Sequence, residues 1–115
     1  MAPRKNPISY DQACYELLCE VPRGKVTTYA ELAKAVSRKF GFRAGAARAV
    51  GNAMNRNPNA PKVPCHRVVR SNGELGGYAG GPTKKRTLLT TEGVEVSGAR
   101  VKDLPSHLFQ FTSRR

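Results

Sequence analysis

Apolar positions recur along this chain at helical spacing, then in short extended runs, then at helical spacing again. Tyr10, Cys14, Leu17, Leu18 and Val21 share one helical face, and Ser9 with Gln12 makes an S-x-x-Q capping box ahead of them. The pattern predicts a first helix stopped by Pro22 and Gly24. Thr28 and Glu31 form a second box, T-x-x-E, opening a helix from about Tyr29 to Ser37 with Leu32, Ala33 and Val36 facing inward. A turn through Phe40, Gly41 and Phe42 leads to AGAARAVGNAM, residues 44–54, a helix made almost wholly of small residues. Two short helices joined by a glycine-containing turn fit a helix-turn-helix. The small side chains suit close approach to a neighbour or a groove; they equally suit a tightly packed helix carrying one solvated arginine, Arg48.

Further on, the prolines of NRNPNAP, residues 55–61, hold their neighbours in extended or turn conformations. Val63, Val68 and Val69 predict a short extended segment around Cys65. Pro82, with Gly81 as N-cap, starts a helix through Lys84 to Thr91 that Gly93 ends. VEVSGARV reads as a hairpin turning near Ser97 and Gly98, and beyond Pro105 only Leu108, Phe109 and Phe111 can anchor the tail. The expected fold is mainly α: a winged helix-turn-helix domain with a short β-hairpin. The 115 residues make one domain, with a core over about residues 7–104 and loose ends.

Composition narrows the class. Hydrophobic residues at 39% and charged ones at 24% are ordinary for a globular chain, and no apolar run approaches a membrane span. MAPRKNPISY lacks the apolar stretch of a secretory signal, so an intracellular, reducing location, cytoplasmic or nuclear, is expected. Three cysteines at 14, 19 and 65, with no CxxC pair, agree with that. Only His66 and His107 could supplement them, without paired spacing, so no metal site is expected. Twenty Lys and Arg against eight Asp and Glu give a net charge of +12. Between Glu31 and Glu74 there is no acid but nine basic residues: Lys34, Arg38, Lys39, Arg43, Arg48, Arg56, Lys62, Arg67 and Arg70. Such a stretch attracts a polyanion, and with the helical pattern it points to nucleic acid ahead of a merely solvated face.

The candidate chemistry lies in KVPCHRVVRSNGELGGYAGG, residues 62–81, where Cys65 and His66 precede a glycine-rich loop. A thiolate is a strong nucleophile, but an unperturbed cysteine is only roughly a few per cent ionised at neutral pH. His66 could take the proton, and nearby cations could favour the anion. Alone, the dipeptide reads more readily as a small buried hydrophobe with a histidine neighbour than as a nucleophile. On a regular strand the two side chains would point to opposite faces, so contact requires a bend at Pro64 or a bridging water. A thiol protease would need an oxyanion hole and an orienting partner, and the basic surroundings do not suit one.

GKVTTYAELA, AARAVGNAMNRNP, PCHRVV, GGYAGG and LLTTEG, in this order and spacing, resemble the O6-alkylguanine-DNA alkyltransferases over about residues 7–104. The resemblance implies a winged helix-turn-helix that enters the minor groove of duplex DNA, flips out an O6-alkylguanine and passes its alkyl group to Cys65. It implies that His66 acts as base through a water, that Glu92 orients His66, and that Asn57 braces the turn. Tyr29 would press on the phosphate backbone and Arg48 would fill the vacated stack, with Ala47, Gly51 and Asn52 against the DNA. The base pocket would comprise Val68, Tyr78, Ala79 and Met54, and Lys85 would assist proton movement at the leaving base. No metal or organic cofactor is implied, and a monomer consumed after one reaction is expected, since a thioether has no good leaving group.

The physical requirements agree with this. A base inside a duplex cannot be attacked in line, so it must leave the stack at a cost of about a few kcal/mol. Three departures from the family stand out: the extra N-terminal domain of larger members has no counterpart here, the segment from Arg38 to Arg43 is longer, and Ala79 replaces a frequent serine. Alkyltransferase-like proteins share the fold and the compact size but bind lesions without repairing them, usually with tryptophan or alanine in place of Cys65. A lesion sensor that recruits repair factors is therefore the second reading. An architectural DNA binder explains the charge but not Tyr29, PCHRVV and Glu92 together.

Overall fold

The computed structural model describes residues 9–42, 47–58, 62–78 and 80–111. The helix-rich pattern is as predicted: five helices and two two-stranded sheets among the described residues. Helix α1 (Tyr10–Leu18) begins with the expected capping box, the Ser9 hydroxyl accepting from the Gln12 N–H. It ends at Leu18, earlier than expected, and tightens into turns in which the Glu20 and Val21 N–H groups donate to the Leu17 and Leu18 carbonyls, with Val21, ahead of Pro22, fully buried.

Strand β1 (Thr27–Thr28) runs directly into α2 (Tyr29–Phe40), whose N-cap Thr28 accepts from the Glu31 N–H at 3.1 Å. Glu31 itself turns to Lys34, 3.5 Å away. Helix α2 outlasts the predicted Ser37 and stops at Gly41, whose φ of 77° takes the left-handed conformation that favours glycine. Helix α3 (Ala47–Asn55) follows, and the expected start at Ala44 lies outside the described residues. Helices α1, α2 and α3 pack on one another around Leu17, Leu18, Leu32, Val36 and Val50. Burying each of those leucines stabilises the fold by about 1.5–3 kcal/mol. Two polar ties fix α3 against α1: Tyr15 Oη donates to the Ala53 carbonyl at 2.7 Å, and Arg56 grips Asp11 in a two-pronged pair at 2.7 and 2.9 Å.

The extended segment predicted around Cys65 is instead one 3-10 turn, Cys65–Arg67, followed by strand β2 (Val68–Val69). Strand β2 pairs in parallel with β1, Thr27 opposite Val68 and Thr28 opposite Val69. The next residue of each strand, Tyr29 and Arg70, therefore leaves the sheet at the same end. Helix α4 (Pro82–Thr91) starts at the predicted Gly81–Pro82 cap. The predicted hairpin forms from β3 (Val96–Ser97) and β4 (Arg100–Val101), joined by Gly98 and Ala99. A second core of Val26, Val69, Leu75, Leu89, Val94 and Val101 lies beneath it. Helix α5 (Leu104–His107) precedes a tail held by more than its apolar side chains: Val26 donates to the His107 carbonyl and accepts from the Phe109 N–H, at 2.9 and 2.8 Å.

Candidate active site and nucleic-acid interface

Pro64 creates the bend at the centre of the site. Its φ of −81° and ψ of 66° form an inverse γ-turn, closed by the Cys65 N–H on the Val63 carbonyl at 2.8 Å. Asn57 Nδ2 donates to that same carbonyl at 2.8 Å, tying the end of α3 to the turn. The bend lets Cys65 and His66, adjacent in sequence, both be buried, at 3% and 1% exposure. The alternation of a regular strand would have sent them to opposite faces.

His66 Nε2 lies 2.9 Å from Glu92 Oε2, and Glu92 caps the C-terminal end of α4. With Nε2–H directed at the carboxylate, the imidazole lone pair is on Nδ1, which is buried and has no hydrogen-bond partner among the described residues. Burial holds His66 below the usual histidine range, although the Glu92 contact works against this. Glu92 is held as a carboxylate: burial favours its neutral form, but hydrogen bonds from Arg67 and His66 outweigh that and lower its pKa. Arg67 donates Nε to Oε1 at 2.8 Å and Nη2 to Oε2 at 2.7 Å, and its Nη1 reaches the Val21 carbonyl at 2.8 Å. The sequence pattern singled out Arg67 only as part of a basic stretch. Its place immediately after His66 was the available signal.

Lys85 is fully buried, with Nζ donating to the carbonyls of Val68 (2.7 Å) and Gly77 (3.0 Å). It thereby clamps the strand after Cys65 to the glycine loop. Burial lowers its pKa to about 8. Its ammonium also lies 5.9 Å from the centre of the Tyr29 ring, at the start of α2. Tyr29 packs so closely on the glycine loop that a Cβ on Gly76 would fall 2.9 Å from its hydroxyl oxygen. The Tyr78 and His66 rings lie nearly perpendicular, interplanar angle 80° and centroids 6.4 Å apart.

A cleft of about 440 Å³ opens between α2, α3 and the segment after β2. Of the expected site residues, Tyr29, Arg48, Gly51 and Met54 line it, while Cys65, His66 and Tyr78 do not. Ala30, Asn55, Arg70, Ser71 and Gly77 complete the wall, and none of them was among the expected site positions. Of the other expected positions, Asn52 is exposed on α3. Val68 has its side chain in the core, and its own N–H and carbonyl bond Cys65 and Lys85. Ala47 begins α3 with its side chain outside the described residues, as Ala79 is entirely.

The basic stretch is less one-signed in space than along the chain. Lys34, Lys39, Arg56 and Arg67 pair with Glu31, Glu20, Asp11 and Glu92. Arg48 and Arg70 are exposed at the cleft, the Arg70 guanidinium making a long ion pair with Glu74 at 3.9 Å. No helix among the described residues is long and apolar enough to cross a membrane.

Residues 9–94 match the family described as "6-O-methylguanine DNA methyltransferase, DNA binding domain". A methylated-DNA–protein-cysteine methyltransferase of Methanosarcina mazei is 45% identical over 83 residues, 72% of this chain and 49% of that protein. The Mycobacterium leprae protein of the same name is 45% identical over 83 residues, covering 72% and 47%. The chain thus spans about half the length of these relatives. The crystal structure of Mycobacterium tuberculosis OGT in complex with DNA superposes with a TM-score of 0.67 at 41% identity, covering 74% of this chain and 50% of that one. S. pombe Atl1, in complex with damaged DNA containing O6-carboxymethylguanine, gives 0.74 at 31% identity and covers 94% and 99%.

Proposed function

We propose that this chain, which belongs to the family of the 6-O-methylguanine DNA methyltransferase DNA-binding domain, repairs duplex DNA by taking the alkyl group of a flipped O6-alkylguanine onto Cys65. The observation that carries this is the buried Cys65–His66 turn, with His66 Nε2 on Glu92 and Nδ1 unpaired among the described residues; the cleft edged by Tyr29 and Arg48, which neither Cys65 nor His66 lines, is where the duplex would approach. In this reading α2 and α3 act as a helix-turn-helix, with β3–β4 as the wing, and duplex DNA carrying the lesion is the partner. Tyr29 presses on the backbone, and Arg48 fills the gap left when the base rotates into the cleft past Gly51 and Met54.

The thiol proton of Cys65 passes through a water to His66 Nδ1, and Glu92 stabilises the imidazolium that forms. The thiolate sulfur then attacks the alkyl carbon; the S–C bond forms as the C–O6 bond breaks. Guanine leaves after gaining one proton, which Lys85 helps to deliver. The thioether product is not hydrolysed, so each molecule acts once and needs no metal or organic cofactor. Asn57 keeps the turn closed, and the glycines around Tyr78 admit the base.

The likeness to S. pombe Atl1 along nearly its whole length favours a second reading, lesion binding without transfer. Incubation with a duplex containing O6-methylguanine, followed by intact mass measurement, separates the two. Transfer adds one methyl group per molecule, maps to Cys65 and is lost in Cys65→Ala. Tight binding to the lesion without that adduct would reject the transfer reading and leave the sensor.

A further inference from the structure

Resting on the transfer reading, we propose that Arg67 is a positioning residue that keeps His66 neutral, and so able to accept the Cys65 proton, by sharing the Glu92 carboxylate. A carboxylate 2.9 Å from an imidazole would by itself favour the imidazolium, which has no lone pair for a proton. Here that carboxylate is already held at both oxygens by the Arg67 guanidinium. The third contact, Nη1 on the Val21 carbonyl, anchors the guanidinium from the segment after α1. A neutral His66 leaves the buried trio with no net charge, whereas an imidazolium would leave it with one unbalanced cation at a site where His66 is 1% exposed and the Glu92 side chain 8%.

The other groups bearing on His66 point the same way. Lys85 on α4 adds a second cation that opposes its protonation, Tyr78 packs an uncharged ring at right angles to it, and Glu92 is the one carboxylate acting on it among the described residues. Burial lowers the His66 pKa most, with Arg67 and Lys85 adding to it against Glu92. The guanidinium also fixes where the lone pair lies. It occupies Oε1 and part of Oε2, so the remaining acceptor position on Oε2 takes Nε2–H, and the unpaired Nδ1 becomes the base.

The test is a nitrogen-15 NMR titration of the two histidines, His66 distinguished from His107 by its absence in His66→Gln. In the unaltered protein His66 is expected as the neutral Nε2–H tautomer at pH 7; an imidazolium there would overturn the inference without any variant. Arg67→Gln keeps N–H donors for Glu92 but removes the charge, and its His66 midpoint should move to higher pH. Arg67→Lys keeps the charge, and its midpoint should stay near the original. Methyl transfer by Arg67→Gln should then fall about tenfold per pH unit below the new midpoint and recover above it. A folded Arg67→Gln protein with an unmoved midpoint, or with a loss of transfer equal at every pH, would reduce Arg67 to a structural role and overturn the inference. If the midpoints move as expected but no variant nor the unaltered protein transfers methyl at any pH, the transfer reading fails while the control of His66 by Arg67 stands.

Discussion

Lys85→Met isolates the cost of burying a lysine beside the proposed nucleophile. Lys85 has no exposed surface, and burial lowers its pKa from 10.5 to about 8. Below pH 8 both the folded and unfolded chains carry the proton, and the folded state bears the full penalty. As pH rises, folded Lys85 gives up its proton first, while the unfolded chain holds its own to about 10.5. The unfolded state therefore binds more protons across that window, and stability contributed by this site rises with pH. Between pH 7 and pH 10 the gain is roughly 2–3 kcal/mol. Methionine has a similar shape and no charge, but it leaves the Val68 and Gly77 carbonyls without their donor, a pH-independent cost of about 1–3 kcal/mol each. The informative quantity is thus the pH dependence of the stability difference. Tyrosines and surface charges are common to both proteins and cancel. Urea unfolding followed by circular dichroism at pH 7, 8, 9 and 10 should show the original protein gaining on Lys85→Met across the series. A difference constant to within about 0.5 kcal/mol would show that Lys85 does not titrate in this range.

Gly76→Ala should be costly at one identifiable contact: the backbone there has φ of 75°, and the added Cβ would sit 2.9 Å from the Tyr29 hydroxyl. A loss of about 1–2 kcal/mol from the left-handed conformation alone is expected, with thermal unfolding shifted down by roughly 4–8 °C per kcal/mol; an unchanged Tm would refute the close packing of Tyr29 on the glycine loop. Cys14 and Cys19 should separate in native-state iodoacetamide labelling at pH 8. Exposed Cys19 is modified, while fully buried Cys14, its thiol pushed up to about 12 by burial, stays free until the chain unfolds. Labelling of Cys14 as fast as Cys19 would mean that α1 opens in the folded state.

Local signals decided a large part of this protein. The box at Ser9, the Thr28 cap (without the reciprocal Glu31 half of its expected box), the Gly81–Pro82 start of α4 and the hairpin turn after Ser97 each depend on a few adjacent residues, so the chain alone places them. The motif string likewise pointed to Cys65, His66, Glu92, Asn57 and Tyr29 as one constellation, but only through resemblance. Periodicity could not see that Pro64 replaces a strand with a turn, because a γ-turn and a strand entry share the same residue types.

What tertiary structure alone decided is which partners meet across long separations. Residue charge says nothing of direction, so a basic stretch could not reveal that Arg56 and Arg67 face Asp11 and Glu92 while Arg48 and Arg70 face the cleft. Nor could the chain indicate the parallel pairing of β1 with β2, which sends Tyr29 and Arg70 out at one end. Lys85 is the sharpest case. In PTKKRTLLTT its neighbours Lys84 and Arg86 are exposed; Lys85 shares the helical face of Leu88 and buried Leu89 and was singled out by resemblance, but neither signal says that a cation there is fully buried. Only the packing of α4 on the Cys65 turn and the glycine loop turns that one cation inward, where two backbone carbonyls must satisfy it. Capping and turns are settled by neighbours in sequence; burial of charge is settled by what the rest of the fold brings against it.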